Sequence, residues 1–401
     1  MDLSAGESIR DRYELVEQLG TGGFSIVWRA YDTEFDRDVA LKFPATDTHD
    51  LETVLRRFEQ EQAILAPFAE GLSHATVVRY LDGDLETEPR FLALEYLSGD
   101  PLDETFGTGA LGSGVRRRIV TDLAETLDFL HRNGVVYLDL KPENVVVRRS
   151  GRPVLLDFNT AVRRDERVTT RFEADQFKAP ELLADGTDER QSVGPQSDVY
   201  SWGKLAFYLL TGAKVLTENV PETGLDPRTF GSSCSAALAE IVQRATRPDS
   251  DERYQDGTML AEAVARATER GSRMLLTHTD SNVRCAVADG DTVGRPVAGE
   301  TVPWVVIASS EQHISPHHVR FSRSRQGWEL EDTSLNGTYV AGTDGWTLVL
   351  SEDGYQKRRD RGQFDPDHPQ PPASITLRDG ARIAPVHPQY GIRLHVRLPD
   401  D

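Results

Sequence analysis

The stretch from Tyr137 to Asn159 constrains the fold of this chain more than any other part of its sequence. It reads YLDLKPEN at 137–144 and LLDFN at 155–159. Two apolar segments between these motifs, 145–147 and 153–156, are predicted to form a short β-hairpin that fixes two polar turns relative to one another. Carboxylates, a lysine and an amide on such turns are the groups that phosphoryl transfer requires.

Four side chains of this stretch fit the parts of that chemistry. We expect Asp139 to accept the proton of the attacking hydroxyl, and Lys141 to lie beside the migrating phosphate. Asn144 and Asp157 supply the hard oxygen ligands that Mg²⁺ prefers. The alternative is a solvated surface turn, which is common for each residue taken alone but not for the ordered set.

The order DLKPEN at 139–144 and DFN at 157–159 resembles the catalytic and magnesium loops of the eukaryotic-like protein kinase family. The resemblance covers about residues 11–270. It implies an α+β bilobal protein kinase fold with an N-lobe at about 11–96 and a C-lobe at about 97–270. It also implies ATP and Mg²⁺ as ligands, and protein serine or threonine hydroxyls as acceptors.

The upstream segment GTGGFSIV at 20–27 resembles the glycine-rich loop that covers ATP phosphates, where small residues let backbone N–H groups approach an anion. The apolar run 91–97 resembles the strand and hinge that hold adenine, with Leu94 at the gatekeeper position. The residues that the resemblance assigns to ATP binding are Gly20, Thr21, Gly22, Gly23, Phe24, Ser25, Val27, Lys42, Glu95 and Leu97.

Lysine is rare in this chain, and its positions are informative. Six of the 45 basic residues are lysines. Two of them, Lys42 and Lys141, match the phosphate-contacting and catalytic-loop lysines of the family, where a compact point charge is suited to the task. The predicted strand 39–42 places Lys42 on the face opposite Val39 and Phe43.

A helix is predicted between residues 51 and 66, because apolar residues recur there at helical spacing. Glu61 lies three residues after Phe58, close to the apolar face. A carboxylate in that place is costly unless it is paired, so we expect an ion pair between Glu61 and Lys42. Glu59 is the alternative partner, and the F-x-x-E spacing resembles the αC helix of the family and favours Glu61.

After Asp157 the sequence resembles an activation segment that ends in Ala-Pro-Glu at 179–181. Thr169 and Thr170, in the middle of this segment, are candidate phosphosites. Arg253 matches the arginine that pairs with the glutamate of the triplet, here Glu181. The segment 198–203 resembles the start of the central helix of the large lobe.

Several residues depart from the family pattern. Tyr137 and Leu138 replace His-Arg before the catalytic aspartate, so no arginine at 138 can clasp a phosphate on the activation segment. Asn159 replaces a glycine, and asparagine is the residue with a side chain that best tolerates positive φ. Ala174 replaces a threonine. These departures keep a nucleotide-binding pseudokinase open as the alternative to an active serine/threonine kinase, whereas a small-molecule kinase is disfavoured by Lys-Pro-Glu at 141–143.

From about residue 274 the pattern changes to short apolar strands separated by turns, which predicts an all-β sandwich. Three motifs, at 294–295, 315–318 and 334–340, resemble in that order a forkhead-associated (FHA) domain over about 274–399. The resemblance implies binding of a phosphothreonine protein or of a phosphorylated segment of this chain. It assigns phosphate contacts to Arg295 and Ser315, peptide and loop contacts to Asn336, and a structural role to His318.

One segment of this region, at about 342–374, does not match the domain. Its charge and proline content predict a long insertion that is a partly disordered loop.

Bulk properties limit the remaining function classes. The formal net charge of −20 argues against nucleic-acid binding. Neither an N-terminal apolar signal nor an apolar run long enough for a bilayer is present, so no membrane partner is expected. Two cysteines cannot form a disulfide framework, which fits a cytoplasmic protein. The scarcity of lysine fits either a salt-loving source or a genome that favours arginine.

Overall fold

The structure, a computed structural model, describes residues 3–45, 50–107, 109, 111–166, 176–183, 193–268, 271–297, 302–307, 313–342, 345–364 and 369–399. The chain forms two compact units. The first comprises Met1–Ala66 and Thr76–Ala267, and the second comprises Pro67–Ala75 and Thr268–Asp401. The short segment 67–75 therefore belongs to the second unit, although it lies within the sequence of the first.

The elements are numbered in chain order. The helices are α1 (Leu51–Ala69), α2 (Leu102–Gly107), α3 (Ser113–Arg132), α4 (Pro180–Leu183), α5 (Pro195–Thr211), α6 (Ala236–Ala245), α7 (Gly257–Ala267) and α8 (Glu352–Asp360). The strands are β1 (Ser8–Ile9), β2 (Tyr13–Thr21), β3 (Ser25–Asp32), β4 (Arg37–Pro44), β5 (Leu72–His74), β6 (Tyr80–Asp84), β7 (Phe91–Glu95), β8 (Gly99–Pro101), β9 (Val135–Val136), β10 (Val145–Arg148), β11 (Pro153–Leu155), β12 (Val162–Arg163), β13 (Met274–His278), β14 (Arg284–Val287), β15 (Thr292–Gly294), β16 (Val305–Ile307), β17 (Val319–Ser324), β18 (Gly327–Asp332), β19 (Thr338–Gly342), β20 (Gly345–Val349), β21 (Ser374–Thr376), β22 (Arg382–Ala384) and β23 (Leu394–Arg397).

The first unit contains an antiparallel sheet with strand order β1-β2-β3-β4-β7-β6. Val39 and Phe43 lie on the same face of β4 and pack against Tyr13 and Phe91 in a buried cluster. Because successive side chains of a strand point to opposite faces, Lys42 projects from the other side of the sheet.

Helix α1 covers the predicted segment and continues to Ala69. It begins where the Asp50 carboxylate accepts the Thr53 amide hydrogen at 2.9 Å, which satisfies a free backbone donor at the helix start. Val54 and Phe58 are fully buried and pack against Leu92 of β7. This contact fixes the rotation of the helix and turns its Glu61 position toward the sheet.

The remaining helices of the first unit pack closely around α5. The Trp202 indole on α5 donates to the Val120 carbonyl on α3 at 2.9 Å. Gly257 lets α7 approach α3, since a Cβ there would lie 2.5 Å from the backbone nitrogen of Asp128. No helix in the described part of the chain is long and apolar enough to cross a membrane.

The predicted hairpin between the two polar motifs is present. Strands β10 and β11 pair antiparallel, with Val146 opposite Val154. Leu155 is tied further to the core, because its N–H donates to the Thr76 carbonyl at 2.8 Å and its carbonyl accepts the Val78 amide at 3.0 Å. The two polar motifs thus lie at the two ends of one buried hairpin.

The second unit has two six-stranded sheets, in the orders β14-β13-β23-β22-β19-β20 and β21-β18-β17-β15-β16-β5. Apolar side chains that alternate along these strands fill the space between them, as the strand pattern predicts. The fully or almost fully buried ones include Met274, Leu276, Cys285, Val293, Phe321, Leu330, Ile383 and Val396.

Strand β5 is an edge strand of the second of these sheets. It pairs antiparallel with β16, with Ser73 opposite Val306. The pairing is extended by a hydrogen bond of 3.1 Å from the Ala75 amide to the Trp304 carbonyl. The rings of His74 and Trp304 meet edge to face at 4.4 Å between centroids. The sheet is therefore completed by a segment that is remote in sequence.

The prediction of a partly disordered loop at about 342–374 is wrong for much of that segment. Strand β20 pairs with β19, and helix α8 follows it. The helix begins at Ser351, whose hydroxyl accepts the Gly354 amide. Acidic residues lie in its first turn and Lys357, Arg358 and Arg359 in its last turn, an arrangement that complements the helix dipole.

Candidate active site

The predicted ion pair between β4 and α1 is present. Lys42 Nζ lies 2.6 Å from Glu61 Oε2 and 2.8 Å from Asp157 Oδ1. Glu61 Oε1 also accepts the Phe158 amide at 3.3 Å. The exposed Glu59 makes no such contact within the described residues, so Glu61 is the partner of the lysine.

The electrostatics of this cluster follow from its burial and its charges. Burial lowers the pKa of Lys42, but the adjacent Asp157 and Glu61 carboxylates outweigh burial and raise the pKa above its usual value. Burial opposes ionisation of Asp157, whereas the ammonium groups of Lys42 and Lys141 lower the pKa of Asp157 overall. The cluster therefore holds a fixed ammonium beside an ionised carboxylate.

The Asp139 carboxylate is held on both of its oxygens. Oδ2 accepts the Asn144 side-chain amide at 2.7 Å and lies 3.1 Å from Lys141 Nζ. Oδ1 accepts a hydrogen bond from Lys178 Nζ. The Asn144 amide also donates to the Asp139 carbonyl at 2.9 Å. The structure thus brings together the three catalytic-loop residues predicted from sequence and adds Lys178.

Asp198 holds the backbone of this loop through hydrogen bonds to its amides. Its carboxylate accepts the Tyr137 and Leu138 amides at 2.7 and 2.6 Å. His131 Nε2 lies 2.9 Å from the same carboxylate. Leu138 adopts φ 66°, an unfavourable conformation for a residue with a Cβ, and the two amide bonds help to hold it there.

Asn159 tolerates positive φ but does not adopt it in the structure. In this motif the left-handed residue is Asp157, with φ 50°. Aspartate tolerates this region because its short polar side chain can bond locally.

Tyr137 occupies the core beneath the active site. Its hydroxyl donates to the Leu156 carbonyl, and its ring meets Phe158 edge to face at 5.0 Å. Burial raises the pKa of Tyr137 well above its usual value. The tyrosine therefore acts as a neutral hydrogen-bonding spacer between the two motifs.

The glycine-rich segment forms the turn between β2 and β3. Gly22 N–H donates to the Ser25 carbonyl at 2.8 Å, which closes the turn. Phe24 lies under the Arg57 guanidinium, 3.7 Å from ring centroid to guanidinium carbon. The contacts of ATP with this loop stay a prediction. Arg57 was not expected from the sequence, since it is one arginine among many on a helix surface.

The hinge segment follows β7. Leu94 is buried. The Glu95 carboxylate is bound by Arg79 at 3.2 Å and Arg148 at 2.9 Å. Burial would raise the pKa of Glu95, but these two guanidinium groups lower it. Because its side chain is engaged, Glu95 can offer only its backbone to a ligand, as can Leu97.

The closing triplet is anchored as predicted. Arg253 is completely buried and makes two hydrogen bonds to Glu181, at 2.7 and 3.0 Å. Ser197 adds a third contact to the same carboxylate at 2.7 Å. The pair ties the end of the activation segment to the helical core. Thr169, Thr170 and Ala174 lie outside the described residues.

Lys178 is a residue of the candidate site that sequence reasoning missed. It immediately precedes the triplet and is buried, and its ammonium also donates to the Leu138 carbonyl at 2.9 Å. The signal in the sequence was its rarity, because it is one of six lysines.

The described residues contain no cluster of three or more His, Cys, Asp or Glu side chains that could hold a metal ion. The site instead offers oxygens from Asp157, whose side chain is 35% exposed, and from Asn144. Mg²⁺ is commonly held by one or two carboxylates together with substrate phosphates. The donor set therefore fits a magnesium ion that is completed by a nucleotide.

In the second unit, the three predicted phosphopeptide residues lie on neighbouring loops. Arg295 Nε donates to the Ile314 carbonyl at 2.6 Å, which uses one of its five N–H donors. Ser315 follows Ile314. Asn336 Nδ2 donates to the His313 carbonyl at 2.7 Å and so connects the second loop to the first.

Two further residues support this loop surface. His318 is fully buried, accepts the Ser315 amide at Nδ1 and contacts the Gly337 carbonyl through Nε2, as its expected structural role requires. Arg358 of α8 donates to the Asn336 carbonyl. The sequence did not predict this contact, because the surrounding segment was expected to be disordered.

Models of known protein families match both parts of the chain. Residues 13–261 match the model of the protein kinase domain, and residues 292–349 match that of the FHA domain. A solved structure titled "PpkA-294 apo form" aligns with a TM-score of 0.54 and 22% identity, over 66% of this chain and 99% of that one. This likeness shows the fold.

Curated bacterial relatives are similar over the same region. The probable serine/threonine-protein kinase PknB of Lactococcus lactis is 28% identical over 298 residues, which are 69% of this chain and 46% of that protein. The serine/threonine-protein kinase drp72 of Corynebacterium efficiens is 30% identical over 310 residues, 73% of this chain and 58% of that protein. The chain thus spans about half the length of these relatives. Since the kinase-domain match extends over more than half of its residues, the chain belongs to the protein kinase family.

Proposed function

We propose that this chain transfers the γ-phosphoryl group of ATP to serine or threonine hydroxyls of proteins. The observation that carries the proposal is the position of Lys42 between Glu61 and Asp157, at 2.6 and 2.8 Å. Three separate elements must be correctly placed to make these contacts. A buried ammonium held by two carboxylates gives no more stability than an apolar core residue would. A functional role therefore explains its presence better than a contribution to stability does.

ATP would lie between the glycine-rich turn and β7, with its phosphates toward Lys42. The backbone at Gly22 and Gly23 can approach an anion closely because these residues carry no side chain. Asn144 and Asp157 would hold Mg²⁺, which supplies neutralisation of the phosphate charge when bound.

In the proposed reaction, the acceptor oxygen forms a bond to the γ-phosphorus as the bond between that phosphorus and the β–γ bridging oxygen breaks. The electron pair of the broken bond leaves with ADP. The proton of the acceptor hydroxyl passes to a carboxylate oxygen of Asp139. Lys141, 3.1 Å from that carboxylate, places a positive charge where the phosphoryl group moves.

Purified full-length chain, γ-labelled ATP, Mg²⁺ and a generic protein substrate test this proposal. We expect the label on serine and threonine, and its loss when Mg²⁺ is chelated. Label on tyrosine alone would refute the acceptor class, and nucleotide binding without any transfer would favour the pseudokinase.

We further propose that the loops around Arg295, Ser315 and Asn336 bind phosphothreonine. Arginine is the residue best suited to a phosphate because its planar fork makes charge-assisted bonds. The observation in support is the ordering of both loops by Asn336 and His318, since a preorganised surface binds at lower entropic cost.

The partner would be a phosphorylated protein or a phosphorylated segment of this chain. Tethering gives the loop surface a high effective concentration near the products of the kinase. We propose domain limits of about 11–270 and 274–399 along the sequence. Segment 67–75 belongs structurally to the second unit. Both cysteines are free thiols, which supports the proposed cytoplasmic location.

A further inference from the structure

Lys178 connects the activation segment with the catalytic loop. Its ammonium donates to the Leu138 carbonyl at 2.9 Å and to Asp139 Oδ1. Its own carbonyl accepts the Thr217 hydroxyl at 2.9 Å. The residue is 5% exposed, so its backbone and its side chain are both fixed.

The hydrogen bonds that Asp139 already makes show which of its oxygens remains available to a substrate. An ionised carboxylate has about four acceptor positions, two on each oxygen. Oδ2 is occupied by Asn144 at 2.7 Å and by Lys141 at 3.1 Å. Among the described residues, Oδ1 accepts from Lys178 alone. The remaining acceptor position is therefore on Oδ1, next to the Lys178 ammonium.

We propose that Lys178 is a positioning residue for phosphoryl transfer, and that Asp139 Oδ1 is the oxygen that takes the proton of the acceptor hydroxyl. The inference rests on the proposed kinase function and adds to it a contribution from the activation segment. Because Asn144 and Lys141 already hold Oδ2, the bond from Lys178 to Oδ1 prevents the carboxylate from rotating. By also holding the Leu138 carbonyl, it fixes the backbone that carries Asp139.

The same contact gives the activation segment a direct effect on the rate. Displacement of residue 178 moves a charge away from Asp139, and misplacement of a reacting group by about 1 Å can cost about 100-fold in rate. Lys178 holds the catalytic loop through Leu138 and Asp139, whereas the proposed nucleotide phosphates lie near the separate ion pair of Lys42 with Asp157. Removal of Lys178 should therefore act on kcat and leave the KM for ATP nearly unchanged.

Steady-state kinetics of the full chain test this inference. Lys178→Met removes the charge and keeps the length of the side chain. We expect kcat to fall by about 10- to 100-fold, with the KM for ATP within about twofold of wild type. Lys178→Arg keeps a cation in place and should recover at least part of the lost kcat, because its geometry differs but its charge does not.

Lys214→Met is the matched control. The Lys214 ammonium lies over the rings of Phe177 and Tyr208, at 5.8 and 5.1 Å, so the control removes the same charge from a neighbour of the segment. We expect its kcat to stay within about twofold of wild type, since a cation–π contact is weak.

The outcomes separate the two levels of the account. An inactive wild type overturns the proposed function. An active wild type with an equally active Lys178→Met overturns the role of Lys178, as does a Lys178→Arg no faster than Lys178→Met at unchanged Tm. If Lys178→Met fails to fold, Lys178→Gln, which can still donate to the Leu138 carbonyl, replaces it. A wild-type kcat in that variant contradicts the inference, and a slow but folded enzyme supports it.

Discussion

Lys42 Nζ and Glu61 Oε2 lie 2.6 Å apart, although one residue is on a strand and the other on a helix. Glu61 is completely buried and Lys42 nearly so. The pair holds because Asp157 and the Phe158 amide provide additional partners, which offset part of the cost of removing charge from water. The position of α1 thereby determines where the ammonium of Lys42 lies.

The first prediction concerns this pair. Glu61→Gln should reduce kcat by about 10- to 100-fold, because Lys42 loses its charged partner on α1 and is no longer held in place. Steady-state phosphorylation of a protein substrate measures the effect. Glu59→Gln, an identical change at an exposed position two residues away, should be within about twofold of wild type. Equal rates for the two variants would show that the pair is not required.

The second prediction concerns the buried pair of Arg253 and Glu181. Arg253→Met leaves Glu181 buried without its cation, and should lower the free energy of unfolding by about 3–5 kcal/mol. Arg247→Met removes an arginine from the exposed pair with Glu252 and should cost at most about 1 kcal/mol. Denaturant unfolding of the full chain compares them, and similar losses in both variants would contradict the buried-pair explanation.

Much of the geometry of the candidate site was predictable from sequence because its residues are close in the chain or have a clear physical reason to meet. The hairpin between the two motifs was predicted from its apolar pattern. The partner of Lys42 was predicted because burial of an unpaired carboxylate is costly. The turn geometry was not predictable. Positive φ falls on Leu138 and Asp157, where the surrounding hydrogen bonds rather than local preference decide it.

The third prediction is a pH dependence of the second unit. Burial lowers the pKa of His318 to about 4, whereas a histidine in the unfolded chain titrates near pH 6.5. Between these values the unfolded state binds more protons than the folded state. The contribution of His318 to stability is therefore fully present above about pH 6.5 and is lost as the pH decreases toward about 4.

Hydrogen exchange of the β17 amides at pH 5 and pH 7 reports this loss. His318→Gln removes the titrating group and should show a smaller difference between the two pH values, corrected for intrinsic exchange. An identical difference in wild type and variant would assign the pH dependence to groups other than His318.

The fourth prediction concerns phosphothreonine binding. Arg295→Ala should weaken binding of a phosphothreonine peptide by about 10- to 100-fold, because a hydrogen bond to a charged group contributes about 1.5–3 kcal/mol. Arg320→Ala, an exposed arginine on β17, is the control and should change Kd less than about threefold. Fluorescence anisotropy with the full chain measures both, and equal binding of the unphosphorylated peptide would refute the assignment.

The fifth prediction concerns the edge strand β5. Ala75→Pro removes the amide that bonds the Trp304 carbonyl, and leaving that carbonyl unpaired should cost about 1–3 kcal/mol. Hydrogen exchange of the amides at 305–307 should accelerate. Ala75→Gly keeps the N–H and should have a smaller effect. Unchanged exchange in the proline variant would show that β5 does not stabilise this sheet.

Two features of the structure lay beyond sequence reasoning because they depend on contacts between residues that are distant in the chain. Strand β5 consists of three residues and becomes a strand only through pairing with β16. Lys178 reaches Asp139 across 39 positions. Helix α8 did carry local signals, a serine cap and a charge gradient, but proline and charge nearby favoured disorder in the prediction.

Comparison of wild type with Asp139→Asn tests the central claim most directly. Full-length protein of each kind is incubated with labelled ATP and Mg²⁺, and both phosphoryl transfer and ATP-dependent thermal stabilisation are recorded. We predict that both proteins are stabilised by ATP and that only the wild type transfers phosphate, because the variant keeps the nucleotide site and loses the proton acceptor. Equal transfer by the two proteins would contradict the assignment of this site as a kinase active centre.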